Sequence, residues 1–222
     1  MDINIAAIEQ YMLEERRIDT FVFGMGCFWS PEANFGQLPG VLRTRVGFAG
    51  GTKSDPTYRQ MGDHTETVEV TYDPDAISLE QLLRKFWNDH NPNRPAYKER
   101  QYISLLLYQN AEQKTIMEAV KQQLEVERKN TIYTEIAPMH DFTEAEPHHQ
   151  KYYLKRFKKA TEQLMSHFPS EAAFHTSTIT SRLNGFVREY GTLASIKEEI
   201  AKWNISDDEA IRIQEMLDGL KW

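Results

Sequence analysis

The 222-residue sequence contains a single cysteine, Cys27, and that scarcity excludes more than any other count. One thiol cannot close an internal disulfide, and a chain of this length buries a core without covalent staples. A disulfide-framed secreted scaffold is therefore excluded, as is a zinc site built from cysteines. Long apolar runs are lacking as well: no stretch approaches the roughly 18 uninterrupted hydrophobic residues of a membrane-crossing helix. Basic runs are also missing, and 26 Lys and Arg against 33 Asp and Glu leave a net charge of −7. Such a chain has no electrostatic footprint for phosphate backbones or anionic lipid, so neither nucleic acid nor a membrane is an expected partner. Residues 1–17 carry acids early and lack a basic segment followed by an apolar block, so they do not read as a signal peptide. A reducing cytoplasm is the expected compartment. What the sequence does have is 40% hydrophobic residues with four Trp, ten Tyr and eleven Phe, enough for a packed globular core.

Periodicity organises the chain. Ile5, Ile8, Met12 and Leu13 suggest a short helix leaning on the domain behind it. Residues 19–23 are β-branched and aromatic, and they run into Gly24-Met25-Gly26-Cys27, which reads as strand, glycine turn and helix with Cys27 near the helix start. Residues 41–48 read as a second strand. Between 65 and 72 the alternation puts Glu66 on the same face as Val68, Val70 and Tyr72. Ser78 and Gln81 form a capping box ahead of the stripe Leu79, Leu82, Leu83, Phe86 and Trp87. Further strands are expected over 102–108 and 131–137, with a helix capped by Asn110 between them. Four or five short strands among helices point to an α+β two-layer sandwich. The last fifty residues read differently: Ile179, Leu183, Phe186, Val187 and Tyr190 form a helical stripe, with further caps at Thr192 and at Ser206 with Glu209. The expected organisation is an N-terminal helical segment (1–18), a catalytic domain (19–170) and a helical C-terminal extension (171–222).

Two residues stand out chemically. A lone cysteine is by default a small buried hydrophobe, but Cys27 follows two glycines and precedes a helix whose free N–H groups can lower a thiol pKa from about 8.5 into the range 3.5–7.5. Phe28 and Trp29 beside it are either core anchors or the walls of an apolar pocket. Glu66, in register with Val68 and Val70, is expected on the buried side of its strand, where desolvation raises a carboxyl pKa above about 4.3 and leaves a proton to donate. Otherwise it frays into water at the strand end. His64, His140, His148 and His149 do not suggest a metal site, because adjacent His148 and His149 cannot both face one ion and no third ligand has fixed spacing; a helix-start or surface role fits them better.

Taken in order, Gly26-Cys27-Phe28-Trp29, Leu38-Pro39-Gly40-Val41, Val46-Gly47-Phe48-Ala49-Gly50-Gly51, Pro56-Thr57-Tyr58, His64-Thr65-Glu66 and Val70-Thr71-Tyr72-Asp73-Pro74 resemble the A class of peptide methionine sulfoxide reductases. Phe86-Trp87-Asn88-Asp89-His90, Gln101-Tyr102, Thr134-Glu135-Ile136-Ala137-Pro138, and Glu146 with His149-Gln150 and Tyr152-Tyr153-Leu154 extend the likeness across residues 19–157. The resemblance implies a ferredoxin-like α+β fold and reduction of methionine S-sulfoxide, free or in proteins, as repair of oxidative damage. It implies Cys27 as nucleophile, passing through a sulfenic acid, and Glu66 as proton donor. Tyr58 and Tyr102 would hydrogen-bond the oxygen, and Phe28 and Trp29 would hold the methyl group. No metal and no bound cofactor is implied.

The chain departs from the family at named places. Tyr97 stands where relatives usually carry an aspartate, with Glu99 close by in a shortened loop, and Ser30 and Ile103 replace a usual glycine and arginine. With no second cysteine, reducing equivalents must come from outside, from a thioredoxin, a glutaredoxin or a low-molecular-weight thiol. Two other readings stay open: a homologue that binds Met or its sulfoxide in partner proteins without turnover, and a thiol redox sensor acting through Cys27.

Overall fold

The computed structural model describes residues 3–14, 16–94 and 100–222, so Tyr97 and Glu99 lie outside the described residues. Strands β1 (Asp19–Met25), β2 (Val41–Ala49), β3 (Thr65–Tyr72), β4 (Ser104–Tyr108), β5 (Glu135–Pro138) and β6 (Phe142–Glu144) form one sheet in the order β5-β4-β1-β3-β2-β6. Every pairing is antiparallel except β4 with β5. The helices are α1 (Ile5–Glu14), α2 (Trp29–Gly36), α3 (Leu79–Asn88), α4 (Ala111–Arg128), α5 (Lys158–Met165), α6 (Glu171–His175), α7 (Thr178–Phe186), α8 (Leu193–Ile200) and α9 (Asp207–Asp218). The architecture is α+β.

Local sequence explains most of these boundaries. The Ser78–Gln81 capping box starts α3, Asn110 caps α4 by accepting the Gln113 N–H, and Ser206 with Glu209 caps α9. The sheet nevertheless has six strands where four or five were expected, because β6 is three residues long and leaves no alternating pattern to read. Two other strands are shorter than their apolar runs. Tyr102 sits in a turn ahead of β4, and β5 begins at Glu135, just after Thr134, whose hydroxyl accepts the Trp87 indole N–H at 2.8 Å.

The main core lies between one face of the sheet and three helices. Phe21, Phe23, Val46, Val68 and Val70 meet Phe35 of α2, Leu82 and Phe86 of α3, and Met117 and Leu124 of α4. The opposite face carries a small patch, Val22, Ala49, Leu105 and Leu107. A second core joins the two ends of the chain. Ile5 and Met12 of α1 pack with Leu154, Ala160 and Leu164, with Ile179 and Leu183 of α7, and with Ile213 and Leu217 of α9.

A buried carboxyl clasps this second core. Glu9, 6% exposed, accepts hydrogen bonds from the Ser177 hydroxyl and the Ile179 N–H, each at 2.9 Å, at the start of α7. Burial outweighs those bonds and the nearby Arg43 charge, pushing its pKa up to about 7. A carboxyl that holds its proton more tightly folded than unfolded contributes stability that is complete below the unfolded value and lost as pH rises through the folded one. Glu9→Gln keeps the acceptor and removes the charge. Urea unfolding at pH 8 should therefore find this variant more stable than the parent by about 3 kcal/mol, the gap closing towards pH 4. Equal midpoints at pH 8 would refute the clasp's titration.

Candidate active site

Cys27 is placed by a turn only glycine makes easily. β1 ends at Met25, Gly26 takes φ +107°, and α2 begins at Trp29, so Cys27 is swung out of the strand and exposed. The first N–H groups of the helix are shared out: Trp29 donates to the Cys27 sulfur, while Phe28 donates to Glu66 Oε2 at 3.1 Å. The expected lowering of the thiol pKa does not prevail. Partial burial pushes it up, the Trp29 N–H pulls it down and the Glu66 charge pushes it up again, and the net direction is upward.

Glu66 lies where its strand register predicts, opposite Phe48 on β2 and 1% exposed. Gln101 holds it twice, through the side-chain amide donated to Oε1 at 2.8 Å and through its carbonyl, which accepts the Glu66 N–H at 2.9 Å. This double link fixes the turn that carries Tyr102. The Tyr102 hydroxyl is hydrogen-bonded to that of Tyr58, and burial, followed by the charges of Glu66, Tyr58 and Cys27, drives its pKa well above the usual phenol value. It remains a neutral donor at physiological pH.

The aromatic wall is a stack with a histidine at its centre. Trp29 lies parallel to Tyr152, ring centroids 3.7 Å apart and planes within 2°, and its indole N–H donates to His149 Nδ1 at 3.2 Å. His149 is 3% exposed and touches Phe28 and Tyr58 with ring centroids at 5.4 and 4.6 Å. A surface or helix-start role does not hold for His149, nor for His64, which is buried ahead of β3 with its ring nitrogens engaged by the Gly51 N–H and the Lys53 carbonyl, although His140 and His148 are exposed. Burial lowers its pKa, and accepting at Nδ1 puts the proton of the neutral ring on Nε2, which faces Glu146 Oε2 at 3.8 Å. The other Glu146 oxygen accepts the Tyr58 N–H at 3.1 Å, tying the Tyr58 loop to the same group.

One fully buried ion pair anchors the segment that carries His149 and Tyr152. Lys151 Nζ reaches Glu32 Oε1 of α2 and the Thr44 carbonyl of β2, each at 2.7 Å, and the Lys151 N–H donates to Glu32 Oε2 at 3.0 Å. Both side chains are completely buried. From the C-terminal helices, Tyr190 on the turn after α7 brings its hydroxyl to 3.1 Å from Ser30 Oγ. Sequence reasoning found no chemistry in that region.

The structure thus brings together Cys27, Phe28, Trp29, Tyr58, Glu66 and Tyr102. It adds Gln101, Glu146, His149, Tyr152 and Tyr190, which had no assigned role. Among the described residues, no three His, Cys, Asp or Glu side chains converge as a metal group would require.

Residues 19–182 match the family pattern for peptide methionine sulfoxide reductase. The chain belongs to the peptide methionine sulfoxide reductase family. A peptide methionine sulfoxide reductase of Drosophila melanogaster is 44% identical over 182 residues, covering 81% of this chain and 72% of the relative. Peptide methionine sulfoxide reductase A5 of Oryza sativa is 39% identical over 204 residues, covering 86% and 79%. Among solved structures, methionine sulfoxide reductase A of Corynebacterium diphtheriae superposes with a TM-score of 0.55 at 32% identity, covering 62% of this chain and 74% of that one.

Two predictions follow for this reductase fold. Alkylation of Cys27 by iodoacetamide should titrate above the ordinary thiol value of about 8.5, and Glu66→Gln should move the midpoint down because it removes the opposing charge. An upward shift would mean that the carboxyl is not felt by the thiol. Lys151→Met, which strands the Glu32 charge, should cost about 3–5 kcal/mol in urea unfolding, with most of the loss regained in the Lys151→Met, Glu32→Leu double variant.

Proposed function

We propose that this chain reduces methionine S-sulfoxide, free or in proteins, to methionine by chemistry at Cys27. The single observation that carries this reading is the meeting of an exposed thiol with a buried carboxyl and two linked phenols beside an aromatic wall. Methionine sulfoxide needs those three things: a nucleophile for its sulfur, a proton for its oxygen and an apolar seat for its methyl group. Phe28 and Trp29 provide the seat. Cys27, as thiolate, attacks the sulfoxide sulfur while Glu66 gives its proton to the oxygen and Tyr58 and Tyr102 hydrogen-bond it. The oxygen passes to the Cys27 sulfur, leaving methionine and a Cys27 sulfenic acid.

The raised thiol pKa sets a condition on this step, because burial and a charged Glu66 both disfavour the Cys27 thiolate. Glu66 and Cys27 repel when both are charged, so at most one carries a charge with ease, and the reactive pair is a thiolate beside a protonated carboxyl. Chirality at sulfur gives selectivity, because Trp29 is clamped between Tyr152 and the His149 hydrogen bond and does not swing to admit the mirror arrangement. Two external thiols then restore the enzyme, drawn from a thioredoxin, a glutaredoxin or a small thiol in a reducing compartment, and no metal or bound cofactor takes part. The same reading extends to the fold, proposed as a ferredoxin-like two-layer sandwich with a C-terminal helical extension; the order β4-β1-β3-β2, with α2 and α3 as connections, supports it.

A single-turnover assay with a methionine-S-sulfoxide peptide tests the reading. Cys27→Ser should abolish reduction, and Glu66→Gln should slow it by about 10²- to 10⁴-fold at pH 7. Undiminished reduction by Cys27→Ser would overturn the proposal, and an unchanged rate in Glu66→Gln would move the proton source to Tyr58 or Tyr102.

A further inference from the structure

Cys27 borders two spaces of opposite character. One is the aromatic slot. The other is a cavity of about 550 Å³ whose wall includes Cys27, Ser30, Asn34, Arg94 and Tyr190. Phe28, Trp29, Tyr58 and Glu66 do not line it, and Tyr102 stands on the boundary between the two. Its volume falls within the roughly 300–1,000 Å³ of small-molecule sites. Its hydroxyl and amide groups alternate with Met25, Pro31, Pro92 and Ile103, a mixed lining that suits a peptide-like molecule. The turn after α7 closes one side through the Tyr190–Ser30 contact.

Among the described residues, the charge on this cavity wall has one sign left over. Asp89 on its wall is already neutralised, accepting from Asn34 at 2.6 Å and from Lys85 at 2.7 Å. His90 is held neutral by burial, with both ring nitrogens engaged, by the Phe86 carbonyl and the Ser104 hydroxyl. Among the described residues, no carboxylate lies within ion-pair distance of Arg94. Its guanidinium also leans over the nucleophile's own turn, since a Cβ placed on Gly26 would stand 3.3 Å from Nη2. A small ligand carrying a carboxylate would pair with Arg94 and place its remaining groups against Ser30, Asn34 and Tyr190, beside the sulfur.

We propose that this cavity seats a small anionic peptide thiol that reduces the Cys27 sulfenic acid directly, an assignment that rests on the proposed reaction at Cys27. The thiol sulfur attacks Cys27 Sγ; an S–S bond forms, the S–O bond breaks, and the oxygen leaves as water with the thiol's proton. A second thiol attacks the outer sulfur of that mixed disulfide, freeing the Cys27 thiol and a small-molecule disulfide, so two thiols are oxidised for each sulfenic acid reduced. Displacement at sulfur runs in line. With the leaving oxygen held by Glu66 and the tyrosines, the incoming sulfur must enter away from the slot, and the cavity is the open space there.

Glutathione is the probe, and two routes to one product make the test independent of sulfoxide chemistry. Stoichiometric hydrogen peroxide followed by glutathione, and oxidised glutathione added to the reduced protein, both yield the Cys27 mixed disulfide, followed by intact-protein mass. Capture should saturate with glutathione concentration. Arg94→Glu should raise the half-saturating concentration about tenfold more than it does for uncharged dithiothreitol, and Arg94→Lys should recover most of the loss. A rate linear in glutathione, an equal effect of Arg94→Glu on both thiols, or saturable recycling by thioredoxin with glutathione unsaturable would overturn the assignment. So would Arg94→Glu raising KM for the sulfoxide peptide instead, which places substrate in the cavity. Loss of sulfoxide reduction with saturable glutathione capture intact would refute the reaction proposed for Cys27 while supporting the cavity's ligand.

Discussion

The site depends on one buried carboxyl. Glu66 takes the Phe28 N–H from the start of α2 and the Gln101 amide from the turn before β4, so three segments far apart in sequence are set by the same two oxygens. The pairing of Met25 with Ser104 brings β1 and β4 together, and the Glu66 side chain then ties the turn that presents Cys27 to the turn that presents Tyr102. Such a group is costly to desolvate, and an acid placed there serves position and proton supply together. Its charge also opposes that of the thiol, so the geometry that aligns the pair couples their protonation.

Around this centre the protein uses buried polar contacts where an apolar core alone would leave freedom to slide. The Lys151–Glu32 pair joins the His149–Tyr152 segment to α2 and β2, with Lys151 held at φ +50°, a backbone conformation unusual for a lysine. Replacing such a pair by well-packed hydrophobic residues is often neutral or stabilising, so its contribution here is best understood as fixing one arrangement. The Trp29 indole is the beneficiary, gripped on its face by Tyr152 and at its N–H by His149.

Much of this was legible along the chain. The two glycines, Cys27, Phe28 and Trp29 are contiguous, so the turn and the aromatic wall could be read locally. Glu66 was found by alternation with Val68 and Val70, because a strand's period of two assigns a face to every residue. His149 and Tyr152 were not legible: their contacts to Trp29 span more than a hundred residues, and a one-turn 3₁₀ segment has no periodicity to display. Lys151 carries no local sign of burial. The direction of the Cys27 pKa escaped for a related reason, since sequence shows a helix start but not how near a carboxyl from another strand will come. Tyr190 was assigned to a helical stripe, yet α7 ends at Phe186, and the turn beyond it is what delivers the hydroxyl to Ser30.

The joining of the chain's two ends has a consequence for the order of events during synthesis. α1 leaves the ribosome well ahead of its partners, α7 and then α9, since Glu9 and the Ser177 cap that it holds are 168 residues apart. The sheet and its three covering helices lie within residues 19–144 and can assemble before α7 and α9 emerge, while α1 waits as an unpaired amphipathic segment for those helices. Tyr190 emerges with them, so the wall of the Cys27 cavity closes after the segments that form the sheet have been made. A nascent chain stalled before that point would carry a formed sheet, an open cavity and an exposed apolar helix, the kind of surface that holdase chaperones bind.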